Sequence, residues 1–370
     1  EEANRLNKDI ARHVKARFCL NEGTHYKYHD ELEYASEAEK WLQMAATESD
    51  KLITSGRYEI YNTGHPQEDY FNMYRIDDKS DLKEAVLYVD YKTNIREHNM
   101  AAAGREAGCG FSKSFVESFL CSDGLPISLS NKYLGDETMR KETANRDPRL
   151  KQLILTNDFP TNVTDDLKDS TFVVNEDEFI TQHCFTGYRP IKGFNPIYSQ
   201  ALYMKSSFDG IAYRYAETLL INAEAKAELN TITNADLDRT VNQLRDRVGM
   251  PHLTVNVGFT DPKWPDWGYS LSPVLQEIRR ERCIELAGEG FRFNDLKRWK
   301  AGKLLNNVLT YVGKRKPDGN LAIVYPNYTN PDLSYQAGKS RTWEDKMYLY
   351  PIPTGELQRN PQLLPQNPGW

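Results

Sequence analysis

The chain has 370 residues, and its 47 lysines and arginines against 53 aspartates and glutamates give a formal net charge of −6 at pH 7. This mildly acidic balance, without a strongly basic run, is not typical of a protein that binds nucleic acid. The five cysteines lack any CxxC spacing, which argues against a zinc site or a disulfide framework and favours buried thiols. No apolar run approaches the roughly 18 residues that a membrane-spanning helix needs.

The first predicted element is a pair of helices over about residues 1–56. Two apolar series recur at helical spacing, namely Ile10, Val14 and Phe18, and then Ala38, Leu42, Ala45 and Leu52. Ser36 and Glu39 have the spacing of a capping box at the start of the second helix. Gly56 stands where the C-terminal cap of that helix is expected. The pattern predicts a helical hairpin.

Residues 57–206 are predicted to form a long loop-rich insertion. Residues 69–73 have the pattern of a short amphipathic turn, and AVLYVDY at 85–91 alternates like a strand. The segment 92–114 is polar and contains several glycines, which predicts a long exposed loop. The turns Ser-Asp-Gly-Leu-Pro at 122–126 and NRDPRL at 145–150 follow.

Two further helical hairpins are predicted over about residues 207–310. One has apolar faces made of Ala212, Ala216, Leu219, Ala223 and Ala227, and of Leu237, Val241, Leu244 and Val248. The other spans 275–309. From about 311 to 370 the pattern Pro-Ile-Pro, Asn-Pro and Gln-Asn-Pro-Gly favours an extended C-terminal tail.

The stretch LQEIRRERCIELAGEGFRFNDLKRW at 275–299 combines a helical pattern with unusual charge. Glu281, Arg282 and Glu285 occupy positions where a surface helix would continue its apolar stripe after Ile278. Such charges must neutralise one another or meet solvent. We therefore expect structural ion pairs among six residues of this stretch: Arg279, Glu281, Arg282, Glu285, Glu289 and Arg292.

The pattern ERxIELAxEGxRFxDLxRW, which runs here from Glu281 to Trp299, resembles the SusD/RagB family. TGYRPIKGF at 186–194, the two turns of the insertion and the C-terminal tail are similar to further signature elements of that family. The resemblance implies one mainly α-helical domain over 1–370, in which tetratricopeptide-like hairpins form a superhelical scaffold around the insertion. It also implies a surface lipoprotein that captures nutrients and passes them to a SusC-like, TonB-dependent transporter in the outer membrane.

The same resemblance sets expectations for the N-terminal side. Proteins of the family are made with a signal peptide and a lipobox cysteine, and they carry four helical repeats. Glu1 does not resemble a natural start, and we count three hairpins. We therefore expect this chain to lack its native N-terminal segment, including the lipid anchor through which the protein would contact the membrane.

Catalysis by carboxyl groups is an alternative to binding. Glu281, Glu285 and Glu289 step by four, and glycoside hydrolysis uses a pair of carboxyl groups. The neighbouring arginines should keep these three groups ionised, however, which favours ion pairing over acid catalysis. The sequence has no HExxH, GxSxG, P-loop or GxGxxG motif. We expect no enzyme activity, cofactor or metal.

Aromatic side chains in loops are the candidates for ligand binding, because tyrosine and tryptophan rings suit stacking on sugar faces. The predicted contacts are Tyr74, the group Tyr91, Arg96, His98 and Asn99, and the group Trp264, Trp267 and Tyr269. Each has an alternative: Tyr74 as cover for helix ends, the second group as a solvated loop, and the third as a plug in the scaffold. The family does not fix these positions by a motif.

The predicted function is therefore capture of an oligosaccharide or polysaccharide at the cell surface for uptake. Three alternatives remain open: peptide capture, as in the RagB branch of the family, a secreted glycosidase, and a scaffold that only grips the transporter.

Overall fold

A computed structural model describes residues 4–100, 110–181, 183–323 and 342–370. The described α-helices are α1 (Lys8–Tyr28), α2 (Ala38–Ile53), α3 (Asp69–Asn72), α4 (Lys113–Ser118), α5 (Met139–Thr143), α6 (Arg149–Leu153), α7 (Tyr215–Glu228), α8 (Asn234–Asp238), α9 (Val241–Arg247), α10 (Pro273–Glu285), α11 (Arg292–Arg298) and α12 (Thr354–Arg359). The strands are β1 (Ala85–Val89), β2 (Pro160–Val163), β3 (Ser170–Phe172), β4 (Gly210–Arg214), β5 (Val312–Arg315) and β6 (Leu321–Ile323).

The first hairpin, α1 and α2, packs on α7. Ala16 and Leu20 of α1, Leu42 and Ala45 of α2, and Ile221 of α7 belong to one buried apolar cluster. The two helices approach closely at Gly23 of α1, where an added Cβ would lie 2.8 Å from Cγ of Leu42. The side chain of Asn7 caps the start of α1 by accepting hydrogen bonds from two backbone N–H groups.

Two details of this hairpin differ from the sequence prediction. Val14 and Phe18 of α1 are exposed, because the helix buries the neighbouring stripe that contains His13 and Ala16. Ser36 does not cap α2, since a 3₁₀ turn over Ala35–Glu37 precedes that helix and no side chain caps it. Gly56 does adopt a positive φ of 64° just after α2, as the cap prediction requires.

The later hairpins centre on α7, which contacts α2, α8–α9 and α10 through its buried faces. Ala212 is not part of this helix: it lies in β4, which pairs antiparallel with β1. The predicted second helix of the hairpin is broken into α8 and α9, yet Leu237, Val241 and Leu244 are all buried against α7. Helix α10 begins at Pro273, with the Ser272 side chain as its cap.

Residues of the predicted insertion share an apolar core with the C-terminal end of α10. Tyr70 and Phe71 of α3, Phe119 after α4, and Leu150 of α6 pack in one cluster that also contains Ile284. The predicted turn at 69–73 and strand at 85–91 are present as α3 and β1. Residues 101–109 of the predicted loop 92–114 lie outside the described part of the chain.

The last part of the described chain contains the β5–β6 hairpin and the short helix α12. Cys19, Cys121 and Cys184 are buried free thiols and Cys283 is half-buried, whereas Cys109 lies outside the described residues. Of the helices in residues 4–100, 110–181, 183–323 and 342–370, none combines the length and apolar character needed to cross a membrane. The division into scaffold, insertion and tail stays a prediction.

Candidate functional site

Three buried arginines surround the carboxylate of Glu285 at the end of α10. Arg149, Arg214 and Arg247 reach it from α6, β4 and α9, at N–O distances of 2.9, 2.6 and 2.6 Å. Burial alone raises the pKa of Glu285, but the three positive charges outweigh burial and hold the pKa well below its usual value. Glu281, one turn earlier, pairs with Arg149 and with Arg245.

Glu289 lies in the turn after α10 and is also paired. Its carboxylate accepts hydrogen bonds from Arg214 and, at 2.6 Å, from Lys192, and Tyr74 donates its hydroxyl at 3.1 Å. Burial raises the pKa of Glu289, but the charges of Arg214 and Lys192 reverse that effect and lower it. Burial also raises the pKa of the Tyr74 hydroxyl, which therefore stays protonated as a donor.

The remaining charged residues of the stretch take different positions. Arg279 is buried and pairs with Glu228 at 2.9 Å, and Arg282 pairs with Asp295 at the same distance. Arg292 is exposed, with its guanidinium 5.9 Å from the ring centre of Trp299. Within the described residues no ion pair joins Arg292 to a carboxylate.

A cleft of about 680 Å³ opens beside Glu289. Its walls come from α1, from β4, from the loop at 190–193 and from the turn at 288–291 between α10 and α11. Gly288 and Gly290 adopt φ values of 75° and 84°, so this tight turn depends on residues without a Cβ. Tyr74 and Phe291 present aromatic rings to the cleft. A space of this size can hold a small oligosaccharide segment.

Asp209, at one edge of the cleft, is hydrogen-bonded to the predicted binding loop. Its two carboxylate oxygens accept hydrogen bonds from the backbone N–H groups of Tyr91 and Lys79, at 2.7 and 3.0 Å. Gly210, which also lines the cleft, lies against the Tyr91 ring, and an added Cβ would be 3.4 Å from it.

The four residues predicted in this loop lie together. Tyr91 and His98 make an edge-to-face contact with ring centres 4.4 Å apart, and the exposed guanidinium of Arg96 lies 5.0 Å from the Tyr91 ring centre. Burial lowers the pKa of His98, whose Nε2 lies 2.8 Å from the Phe208 carbonyl. Asn99 accepts a hydrogen bond from the Met204 backbone N–H at 3.1 Å.

Hydrogen bonds join this loop to a second one, and together they expose a group of large apolar side chains. His98 and Ser206 form a β-bridge between residues 91–100 and 197–206, which we name the joined loops. On them Ile95, Tyr198 and Tyr203 are 76%, 52% and 73% exposed. Met100 also lines the cleft, so the two features are continuous. Tyr198 and Tyr203 are not among the residues predicted from the sequence, although the fragment YSQALY at 198–203 contains aromatic residues of the same kind.

The tryptophan loop at 264–269 lies elsewhere and is largely internal. Trp267 is buried, donates its indole N–H to Gln276 at 2.6 Å, and packs edge-to-face on Trp299. Tyr269 donates its hydroxyl to the Trp299 carbonyl, and half-buried Trp264 donates its indole N–H to Glu277 at 2.7 Å. These positions match the alternative of a plug in the scaffold. We therefore leave all three residues out of the candidate site.

Among the described residues, no three His, Cys, Asp or Glu side chains are grouped so that they could hold a metal ion. The candidate site consists of the cleft and the joined loops. Its aromatic, cationic and amide side chains are the groups that can recognise a ligand.

Comparison with known proteins decides the family. A sequence model of the SusD family matches residues 47–370. The chain belongs to the SusD family. Within that family, it is 33% identical over 166 residues to SusD-like protein P2 of Formosa agariphila, a match that covers 45% of this chain and 27% of that protein.

Solved structures agree on the fold of this SusD-family chain. It is similar to a SusD-like protein from Bacteroides fragilis, with a TM-score of 0.68 and 24% identity, and to a SusD-like carbohydrate-binding protein from the same species, with a TM-score of 0.66 and 22% identity. The comparisons cover 100% and 98% of this chain, but 66% of each of the other two. The predicted fold class, mainly α with helical hairpins and a loop-rich insertion, is confirmed.

Proposed function

We propose that this SusD-family protein captures oligosaccharide or polysaccharide at the cell surface, on the face formed by the cleft and the joined loops. It hands the glycan to a SusC-like, TonB-dependent transporter of the outer membrane. The observation that carries the proposal is the exposure of Tyr198 and Tyr203 on the joined loops of a SusD-family chain, which reach the cleft through Met100. One structural relative is described as carbohydrate-binding, which supports the choice of ligand class.

The proposed capture uses stacking and hydrogen bonding. Tyrosine rings present flat apolar faces to the C–H faces of a sugar ring, and their hydroxyls stay hydrated at the edge. Arg96, which is exposed over Tyr91, supplies donors for sugar hydroxyls. The hydrogen bonds at His98 and Asn99 hold the loops in place, which lowers the entropy lost when a ligand binds.

The proposal is for binding without hydrolysis. A glycosidase needs one carboxylic acid with a raised pKa, and the two carboxyl groups must face the scissile bond. Glu285 and Glu289 instead have lowered pKa values, because the charges of neighbouring arginines, and of Lys192 at Glu289, outweigh the effect of burial. Glu281 is buried between Arg149 and Arg245. All three carboxylates hold the scaffold together in this interpretation.

The proposed location is the outer surface of the outer membrane, where the whole protein would be held by a lipid anchor in an N-terminal segment. In that arrangement the helical hairpins face the transporter and the candidate site is open to glycans. Co-purification of the whole protein with a SusC-like partner from outer membranes would test the association. Recovery of the protein without any TonB-dependent transporter would contradict it.

The ligand class is tested with a panel of polysaccharides in native affinity gels, followed by a reducing-end assay. The proposal predicts retarded migration on at least one polysaccharide with no new reducing ends. Release of reducing sugar would contradict the binding interpretation. Binding to a peptide library with no retardation on any polysaccharide would replace glycan with peptide as the ligand.

A further inference from the structure

More cationic than acidic side chains line the cleft. Its lining includes two lysines and three arginines against two aspartates and one glutamate. The acidic groups already accept hydrogen bonds from the protein: Glu289 from Arg214 and Lys192, Asp295 from Arg282 and Arg298, and Asp209 from two backbone N–H groups. Three of the cations are in turn paired with carboxylates, Arg17 with Glu217, Arg298 with Glu224 and Lys192 with Glu289. The unused donors of the cleft are therefore sought on its two remaining cations.

Arg282 is one such donor. Its side chain is 3% exposed and donates a hydrogen bond from Nε to Asp295. Its Nη1 is buried and has no hydrogen-bond partner among the described residues. A buried guanidinium with an unused nitrogen is costly unless an acceptor meets it.

Lys79 is the other. It is 1% exposed, and its ammonium group donates to the carbonyls of Ile76 and Tyr74, at 2.6 and 3.4 Å. In the part of the chain that the structure describes, no carboxylate forms an ion pair with it. An ammonium group has three protons to donate, so one remains after these two hydrogen bonds. The ring centre of Phe208 lies 5.7 Å from Nζ. Burial lowers the pKa of Lys79 to about 8, and the group is still mainly charged at pH 7.

We propose that the cleft selects saccharides that carry an oxyanion, either the carboxylate of a uronic acid or a sulfate ester, and that Lys79 and Arg282 bind this group. The inference rests on the proposed function and specifies its substrate class. Carboxylate and sulfate both offer several acceptor oxygens with negative charge, which suits an ammonium group and a guanidinium fork. The aromatic rings of the joined loops hold the neutral part of the same chain.

The test is isothermal titration of the purified 370-residue protein with three sets of oligosaccharides of equal length, one neutral, one containing uronic acid and one sulfated, at constant ionic strength. We expect at least one acidic set to bind about 10-fold or more tightly than the neutral set, and this preference to shrink as salt is raised. The carboxylate and sulfate sets distinguish the two sources of charge.

Lys79→Gln removes the ammonium charge but keeps a hydrogen-bonding side chain of similar length. It should abolish the preference for the acidic set, measured as the ratio of the affinities for the acidic and the neutral sets. The control is Lys83→Gln, because Lys83 is an exposed lysine paired with Glu59 outside the cleft, and this variant should keep the preference. Circular dichroism establishes that both variants are folded.

A second measurement on the unaltered protein keeps the proposal falsifiable if Lys79→Gln does not fold. Thermal unfolding with free glucuronate or inorganic sulfate should show a rise in Tm that glucose does not give. Neutral sugars binding as tightly as acidic ones would overturn this inference and leave the proposed function standing. If no saccharide of any set binds, both are overturned.

Discussion

Nη2 of Arg247 lies 2.8 Å from one carboxylate oxygen of Glu285 and 2.6 Å from the other. The same guanidinium approaches Glu84, which precedes β1, and Glu285 also contacts Arg214 of β4. One buried carboxylate thus links α9, α10 and the β1–β4 pair, which are far apart in the sequence. Arg214 also joins this network to Glu289, in the turn that forms one wall of the cleft.

Replacing Glu285 with Gln should destabilise the fold strongly. Removing one partner of a buried ion pair costs about 3–5 kcal/mol, because the other charges remain buried without compensation. Urea unfolding of both proteins at pH 7 measures the difference. The control is Glu59→Gln, since Glu59 pairs with Lys83 at the surface and should change stability little. A loss below about 1 kcal/mol for Glu285→Gln would refute the structural role of this network.

Glu217 on α7 should make stability depend on acid pH. It is buried against His13 and Arg17 of α1, with contacts of 2.8 and 2.6 Å. Burial raises its pKa, but the hydrogen bonds and charges of these two partners lower the pKa from 4.5 to about 2. Since the folded-state pKa is depressed, this stabilisation is fully present above about pH 4.5 and is lost as pH falls towards 2.

The corresponding measurement compares unfolding free energies of wild type and Glu217→Gln between pH 7 and the lowest pH at which both fold. The wild type should lose on the order of 3 kcal/mol more than the variant across the full window, since one pKa unit corresponds to about 1.4 kcal/mol. Two stability curves that run parallel below pH 4.5 would contradict the assigned pairing.

Trp267→Ala should reduce stability without a specific loss of glycan binding. The indole is buried between Trp299 and the guanidinium of Arg279, and truncating a buried tryptophan costs about 3–5 kcal/mol. Affinity is measured at a temperature at which the variant is folded, as judged by circular dichroism. A large loss of affinity with little loss of stability would restore the tryptophan loop as a binding platform.

Local patterns predicted the helices of the scaffold well, because apolar spacing and glycine caps are properties of neighbouring residues. The buried face of α1 could not be predicted in the same way. Ile10, Val14 and Phe18 form a regular series, yet the helix buries His13 because Glu217 and Thr218 of α7, some 200 residues later, provide its hydrogen-bond partners. No local signal identifies such a remote partner.

The candidate site could likewise be predicted from the sequence only in part, because its contacts also join remote segments. The pattern of charges in 275–299 indicated ion pairs, but Arg149, Arg214 and Arg247, which contact Glu285, come from three other segments. Tyr91, Arg96, His98 and Asn99 were recognised as a group because they are close in sequence. Tyr198 and Tyr203 join them through the β-bridge between His98 and Ser206 and the hydrogen bond from Met204 to Asn99, contacts that the sequence alone does not indicate.

The most direct test of the account is the affinity of the double variant Tyr198→Ala/Tyr203→Ala for a polysaccharide that retards the wild type. Stacking is worth about 0.5–1.5 kcal/mol per aromatic contact, so loss of both rings should weaken binding by about 5- to 150-fold while Tm stays unchanged. The matched control is Tyr34→Ala, which removes a tyrosine of similar exposure, 55%, from the connection between α1 and α2. Unchanged affinity in the double variant, or an equal loss in the Tyr34 variant, would contradict glycan capture on the joined loops.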